Sequence, residues 1–319
     1  MPDASRPRQP PRPILLALLA LVVAALALRH AFPWMTGILP DDLRPGAEIR
    51  IEDRLARPGE TIRIPILLRP LGLGAPRAGH QMEFAVEDRP IRIPSTDDAG
   101  LAEALWTAPE TPGVYSLRVR LSLREGFREA RAEGCVAVVS RERPLLVVDA
   151  LTLFPSMTTE QFLRRPNQDI PPPGTLRSAI AAASETCTIA YLRPADASVP
   201  FSPKFSLWLR RYGFPLGPLQ GAIPKGSPAN AEKAWRFDLL RLATEWPTAA
   251  VLTARREEAW FLAAKGVRVL FCNHGKCPPG AEAVRPEEIP SRLSRPPAPG
   301  ATRPDDARIP PSGQPDKRP

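Results

Sequence analysis

The chain has 319 residues, 43% of them hydrophobic, with 42 prolines and a formal net charge of +9. That apolar fraction is enough for real cores, which excludes a wholly disordered chain, and the length suits about two domains. Arg and Lys are interleaved with Glu and Asp rather than clustered with aromatics, so the basic charge argues for a solvated surface and against a nucleic-acid partner.

Residues 1–12 are polar and carry Arg6, Arg8 and Arg12, and residues 14–28 read ILLALLALVVAALAL without a charge. Arginines ahead of an apolar run hold that end in the cytoplasm and send the remainder across. The strictly apolar core is shorter than the roughly 20 residues a spanning helix needs, and extension to Trp34 supplies the length. The expectation is a single-pass transmembrane anchor over 13–34, with Trp34 at the far interface. A cleaved signal peptide is the alternative; its small-residue site, Ala25-Leu26-Ala27, lies inside the apolar run rather than after it. Both readings place the body of the chain on the periplasmic or extracellular side of the cytoplasmic (inner) membrane.

Residues 46–140 carry strand patterns and little helix. EIRIE (48–52), TIRIPILL (61–68), QMEFAV (81–86) and VYSLRVRLSL (114–123) alternate apolar and polar positions, and 134–139 is a further apolar run. Period-2 alternation implies one buried and one wet face. Short strands between Pro-Gly turns, at Pro58-Gly59 and Pro112-Gly113, point to an all-β sandwich. Residues 97–106 read as a loop followed by a strand. The entries RPGET (57–61) and TPGVY (111–115) resemble those of immunoglobulin-like domains of bacterial surface proteins. Asp97 and Asp98 are adjacent carboxylates in a glycine-containing loop and read as solvated turn residues.

From residue 144 the pattern changes. LLVV (145–148) is continuous and apolar and ends in Asp149. A buried strand ending in an acid is the layout of a parallel-sheet ligand edge. Helix is expected at 175–184, strand at 188–192, helix around 205–212, a short strand at 218–223 and helix at 229–246. In the last of these helices Trp235, Leu239, Leu242 and Trp246 share one face. A strand at 249–253, a helix at 256–264 and a strand at 267–272 complete an α/β domain over 144–292 with a parallel sheet.

The stretches IAYLRPAD, SLWLRRYGFPLGPLQ and AAVLT, with Lys233 in the helix between the last two, resemble the lipin/Nir-type haloacid-dehalogenase-like (HAD-like) domains of phosphatidate phosphatase relatives. The segment Gly213-Phe214-Pro215-Leu216-Gly217-Pro218 is the most specific piece. The resemblance covers about 145–275 and implies a Rossmannoid parallel sheet partnered by an immunoglobulin-like sandwich. It also implies an Asp nucleophile, an Asp general acid two residues on, and further acids holding Mg²⁺. Asp149 fits the nucleophile, but Leu151 then stands at the general acid. Shifting the register by one puts Val148 and Ala150 at the two positions. Thr253-Ala254 stands where Gly-Asp is expected, and Arg193 or Pro194 where a Ser is expected. A lone carboxylate cannot both hold Mg²⁺ and protonate a leaving group.

The resulting expectation is a membrane-anchored pseudo-phosphatase. Arg193, Lys233 and Arg255 would line the strand edge and hold a phosphate without hydrolysing it, the ligand being an anionic phospholipid headgroup or an envelope protein partner. No cofactor and no metal site is expected. Two alternatives stand beside it: a residual phosphatase using Asp149, with Glu257 and Glu258 reaching Mg²⁺, and a purely structural envelope protein. The 4 cysteines include Cys272 and Cys277, which flank a turn-like stretch and either form a loop staple or remain thiols. Residues 293–319 are rich in Pro, Arg, Asp and Gly and are expected to be disordered.

Overall fold

The computed structural model describes residues 46–71, 78–91, 95–121, 127–198, 200–221, 228–273 and 275–295, with two isolated positions at 20 and 23. The expected anchor over 13–34, the basic start and the proline-rich tail therefore lie outside the described residues, apart from 20, 23 and 293–295. Among the described residues no helix is long and apolar enough to cross a membrane. The chain has mixed α/β content, with antiparallel pairing in its first part and a parallel sheet in its second.

The first part forms β1 (Ala47–Ile51), β2 (Arg54–Ala56), β3 (Thr61–Pro70), β4 (Met82–Val86), β5 (Arg89–Ile91), β6 (Leu101–Thr107), β7 (Gly113–Leu121) and β8 (Ala130–Val138). The order is β1-β3-β6 in one sheet and β2-β8-β7-β4-β5 in the other. β1 and β3 are antiparallel, as are β4 and β5, whereas β2 runs parallel to β8. Alternation in sequence becomes alternation in burial. In β3, Ile64, Ile66 and Leu68 are buried while Arg63 and Arg69 are not. The turn between β4 and β5 places Glu87 and Asp88 at positive φ, the two-residue geometry that suits a right-handed hairpin.

The chain clusters into two compact units that are not simple consecutive stretches. One comprises Met1–Ile51, Pro65–Ala104 and Arg118–Glu133; the other comprises Glu52–Ile64, Leu105–Leu117 and Gly134–Pro319. The second unit thus holds β2 and the end of β8 together with the parallel sheet.

That sheet consists of β9 (Leu145–Asp149), β10 (Thr188–Leu192), β11 (Leu219–Gln220), β12 (Thr248–Thr253), β13 (Val269–Phe271) and β14 (Glu282–Ala283). The helices are α1 (Thr159–Arg164), α2 (Gly174–Ala183), α3 (Phe201–Arg211), α4 (Pro228–Glu245), α5 (Arg256–Ala263) and α6 (Ile289–Leu293), with 3-10 turns at Ala150–Leu153, Asn167–Asp169 and Pro286–Glu288. The spatial order is β11-β10-β9-β12-β13-β14, and every pairing is parallel. In chain order this reads 3-2-1-4-5-6, so the direction of winding reverses at β9.

Both faces of the sheet are buried, which explains why these strands are continuous apolar runs. Leu146, Val148, Ile189, Tyr191, Ala250 and Leu252 pack under α1, α2, α3 and α6. Leu145, Val147, Ala190, Leu192, Val251 and Val269 pack under α4 and α5, joined there by Leu55, Ala137 and Val139.

The glycine-proline segment after α3 is architectural. Gly213 takes φ +66°, and the Phe214 N–H returns to the Leu209 carbonyl at 3.0 Å, closing the helix as a left-handed C-terminal residue does. Phe214 stacks on buried Trp208. Tyr191 Oη donates to the Pro215 carbonyl at 2.8 Å, and the Tyr191 N–H to the Pro218 carbonyl at 2.9 Å. At Gly217 a Cβ would lie 2.1 Å from the Ile189 carbonyl oxygen, so only glycine lets the chain pass this close.

Candidate site at the carboxyl edge of the parallel sheet

A sheet whose winding reverses at its first strand opens, at that reversal, beyond the carboxyl ends of the two strands concerned. Here those strands are β9 and β12, which end in Asp149 and Thr253. Both residues are buried, Asp149 at 1% exposure.

The Asp149 carboxylate is held from several directions. Oδ1 accepts from the Leu151 N–H at 3.2 Å, capping the 3-10 turn that follows β9. Oδ2 accepts from Thr253 Oγ1 at 3.0 Å and from Arg255 Nε at 3.0 Å. Thr253 Oγ1 accepts in turn from the Arg255 N–H at 3.1 Å, and Thr152 Oγ1 from the Ala254 N–H at 3.0 Å. These bonds bind the loop after β9 to the loop after β12.

Arg255 is the hub. Besides Asp149, its guanidinium reaches Glu258 Oε1 through Nη1 at 3.3 Å. It also lies over the Trp235 ring, 4.2 Å from the centroid, which adds a cation–π attraction. Glu258, on the first turn of α5, is buried, and burial pushes its carboxyl above the usual range while Arg255 opposes that shift. A guanidinium between two buried carboxylates offsets their desolvation, and removing it would leave two uncompensated charges.

The expected site residues separate. Arg193, just beyond β10, donates through Nη1 to the Gly221 carbonyl at 2.9 Å and through Nη2 to Ser202 Oγ at 2.8 Å. Its own carbonyl accepts from Trp235 Nε1. Arg193 and Arg255 thus both converge on Trp235, one by its backbone and one by its side chain. Burial pushes the Arg193 guanidinium down from its usual value, and the Asp53 carboxylate opposes this. Nη1 and Nη2 of Arg193 and Nε and Nη1 of Arg255 are spent on internal acceptors, while Arg193 Nε and Arg255 Nη2 are buried without a hydrogen-bond partner. Lys233 is exposed on α4. Glu257 is exposed and lies 3.7 Å from Arg236, away from Asp149.

These residues do not fit Mg²⁺. The guanidinium already occupies an oxygen of each buried acid, and Asp149 has no face open to solvent. Among the described residues no group of three or more His, Cys, Asp or Glu side chains is placed to hold a metal ion.

Three participants escape sequence reasoning. Trp235 reads as a core residue of an amphipathic helix, Thr253 as a departure from a pattern, and Asp53 draws no reading at all. Asp53 Oδ1 and Oδ2 accept the N–H groups of Cys135 and Leu219, each at 2.8 Å, and its carbonyl accepts from Gln220 Nε2 at 3.2 Å. Burial pushes its carboxyl up to about 6. No local pattern announces this, because its partners lie 82 and 166 residues away in the chain.

All four cysteines are free thiols. Cys272 packs with the cluster under α1, α2 and α3, and Cys277 with the cluster under α4 and α5. The two therefore lie against opposite faces of the sheet, and the loop staple does not form in this conformation.

No family model matches the chain, and no curated protein does. Among solved structures, the endo-beta-1,4-mannanase from Thermotoga petrophila is similar at 8% identity over 30% of this chain and 20% of that one, with a TM-score of 0.21. The family 123 glycoside hydrolase from Clostridium perfringens is similar at 8% identity over 72% of this chain and 64% of that one, TM-score 0.21. CaCohA2 from Clostridium acetobutylicum is similar at 13% identity over 30% and 92%, TM-score 0.18. The chain thus spans about a fifth of the mannanase's length. Likenesses at these TM-scores carry no argument about this chain.

Proposed function

We propose that the α/β part is a catalytically silent, phosphatase-like module tethered to the cytoplasmic membrane, and that its work is binding rather than turnover. In this reading residues 46–140 form an immunoglobulin-like sandwich and 144–292 a degenerate HAD-like domain, with both parts outside the cytoplasm. One observation carries it: Asp149, the acid at the winding reversal, is buried and tied to Thr253 and Arg255.

A nucleophilic carboxylate needs an oxygen open to the substrate and a nearby acid for the leaving group. Asp149 has no open oxygen, and the nearest acid, Glu258, is bound to the same guanidinium. What remains is an edge whose two buried acids are both engaged by Arg255. The partner class is an anionic phospholipid surface, which the net positive charge favours.

The test is hydrolysis of p-nitrophenyl phosphate and of phosphatidate by the detergent-solubilised full chain with added Mg²⁺, beside the Asp149→Asn variant. Both proteins should match the buffer rate. Turnover by the parent that Asp149→Asn abolishes would establish the residual phosphatase instead.

A further inference from the structure

Two helices cover one face of the parallel sheet and present aromatic side chains to solvent. On α4 the exposed stripe is Lys233, Phe237 and Arg241, one turn apart; on α5 it is Arg256 and Trp260, with Lys265 just beyond. Phe237 is 67% exposed and Trp260 59%. Side chains of this size on a helix otherwise face the core, as Trp235, Leu239 and Leu262 do on these same helices.

The helices are locked side by side. Arg236 binds Glu232 on its own helix at 2.8 Å, lies 3.7 Å from Glu257 on α5, and sits over the Phe261 ring. Phe237 and Trp260, each next to a member of this cluster in sequence, are thus carried on one two-helix layer. The acids of the layer are largely occupied: Glu232 and Glu257 face Arg236, and Glu245 faces Arg241. Among the described residues Lys233, Arg256 and Lys265 have no ion-pair partner.

The geometry points to this α4–α5 layer as the surface that lies on an anionic lipid bilayer, with Trp260 and Phe237 at the level of the headgroups and Lys233, Arg256 and Lys265 on the phosphates. The inference rests on the membrane-tethered reading above, but moves lipid recognition from the closed strand edge to the helix layer. Amphipathic aromatics beside cations are the chemistry of an interfacial helix. Anionic lipid complements the unpaired charges. A second copy of the chain meeting the same patch across a two-fold axis would set those cations against their own kind.

The test uses the full chain in vesicles of brominated phosphatidylglycerol, with tryptophan fluorescence as readout, beside Trp260→Phe and the double variant Lys233→Gln/Arg256→Gln. All three proteins are also placed in brominated phosphatidylcholine. In phosphatidylglycerol the parent should show a quenched component that Trp260→Phe lacks. Each neutralised cation should lower the docked-to-undocked ratio about five-fold, the worth of one Lys or Arg near an anionic surface. The component should be absent in phosphatidylcholine. Equal quenching of parent and Trp260→Phe, equal quenching in both lipids, or a Trp260-dependent dimer in detergent would each overturn the assignment. Failure here leaves Asp149 silent and the tether intact, whereas Asp149-dependent phosphatase turnover would overturn the silent-enzyme reading and leave the helix layer untouched.

Discussion

At the scale of single residues, Arg255 decides the character of the sheet edge. It pairs with Asp149 and Glu258 at once, and both are buried. Arg255→Met keeps the stem over Trp235 but removes the charge. We expect a loss of about 3–5 kcal/mol, the usual cost of stranding a buried partner. Urea midpoints should record it, and Asp149→Asn added to Arg255→Met should restore part of the loss, as coupled neighbours do. Additive losses would show that the pair does not act as a unit. Asp53 offers a second test at this scale. Burial pushes its carboxyl up to about 6 when folded, above the ordinary carboxylate range of about 4. Because the folded value is raised, the folded state binds the proton more readily. The group's contribution is therefore greatest below about pH 4 and is lost as pH rises towards 6. This group's contribution should fall across that window by about 1.4 kcal/mol per pH unit at most. Asp53→Asn should lack this component; an unchanged pH profile would count against the buried-charge account.

At the scale of elements, the glycine-proline segment shows how a loop can be as exacting as a core strand. It closes α3, seats Phe214 on Trp208, and lays β11 along the edge of β10. Gly217→Ala would drive its methyl into the Ile189 carbonyl, so β11 must move off the sheet. The expected cost is about 1–3 kcal/mol or more, as for other overpacked sites. Tyr191→Phe, which loses only the hydroxyl bond to Pro215, should cost about 1 kcal/mol. Thermal or urea unfolding would rank the two, and a Gly217→Ala variant as stable as Tyr191→Phe would contradict the close approach. The loop after β13 makes a different claim. Since Cys272 and Cys277 pack against opposite faces, mass spectrometry without reduction should find no bond between them, even from an oxidising compartment. A Cys272–Cys277 linked peptide would mean that this loop adopts another conformation there.

At the scale of the whole molecule, the proposed tether can be tested by the side of the membrane on which it would place the folded parts. Arginines before an uncharged run predict an N-in, C-out topology. A reporter active only in the periplasm, fused after Arg295, should be active. Activity solely from a reporter that works in the cytoplasm would reverse the placement.

Periodicity alone was enough to place β1, β3, β4 and β7, since alternating burial is written one residue at a time in strands such as TIRIPILL, whereas β8 was legible only as the apolar run at its end. The runs LLVVD, TIAYL and TAAVLT were legible as buried parallel strands for a related reason, as a strand covered on both faces has no polar position to spare. β2, β5, β14, α1 and α6 were missed, because each is too short to show a period. That no second acid stands two residues after Asp149 could be read from DALTL alone. The fate of the remaining charges could not. Arg193 and Arg255 looked equally free to bind phosphate, and only the fold brought Asp149, Arg255, Glu258 and Trp235 together. A residue's type states which bonds it can make. Which ones it does make depends on what strand order and helix packing set beside it, and that information is spread over more than a hundred residues of chain.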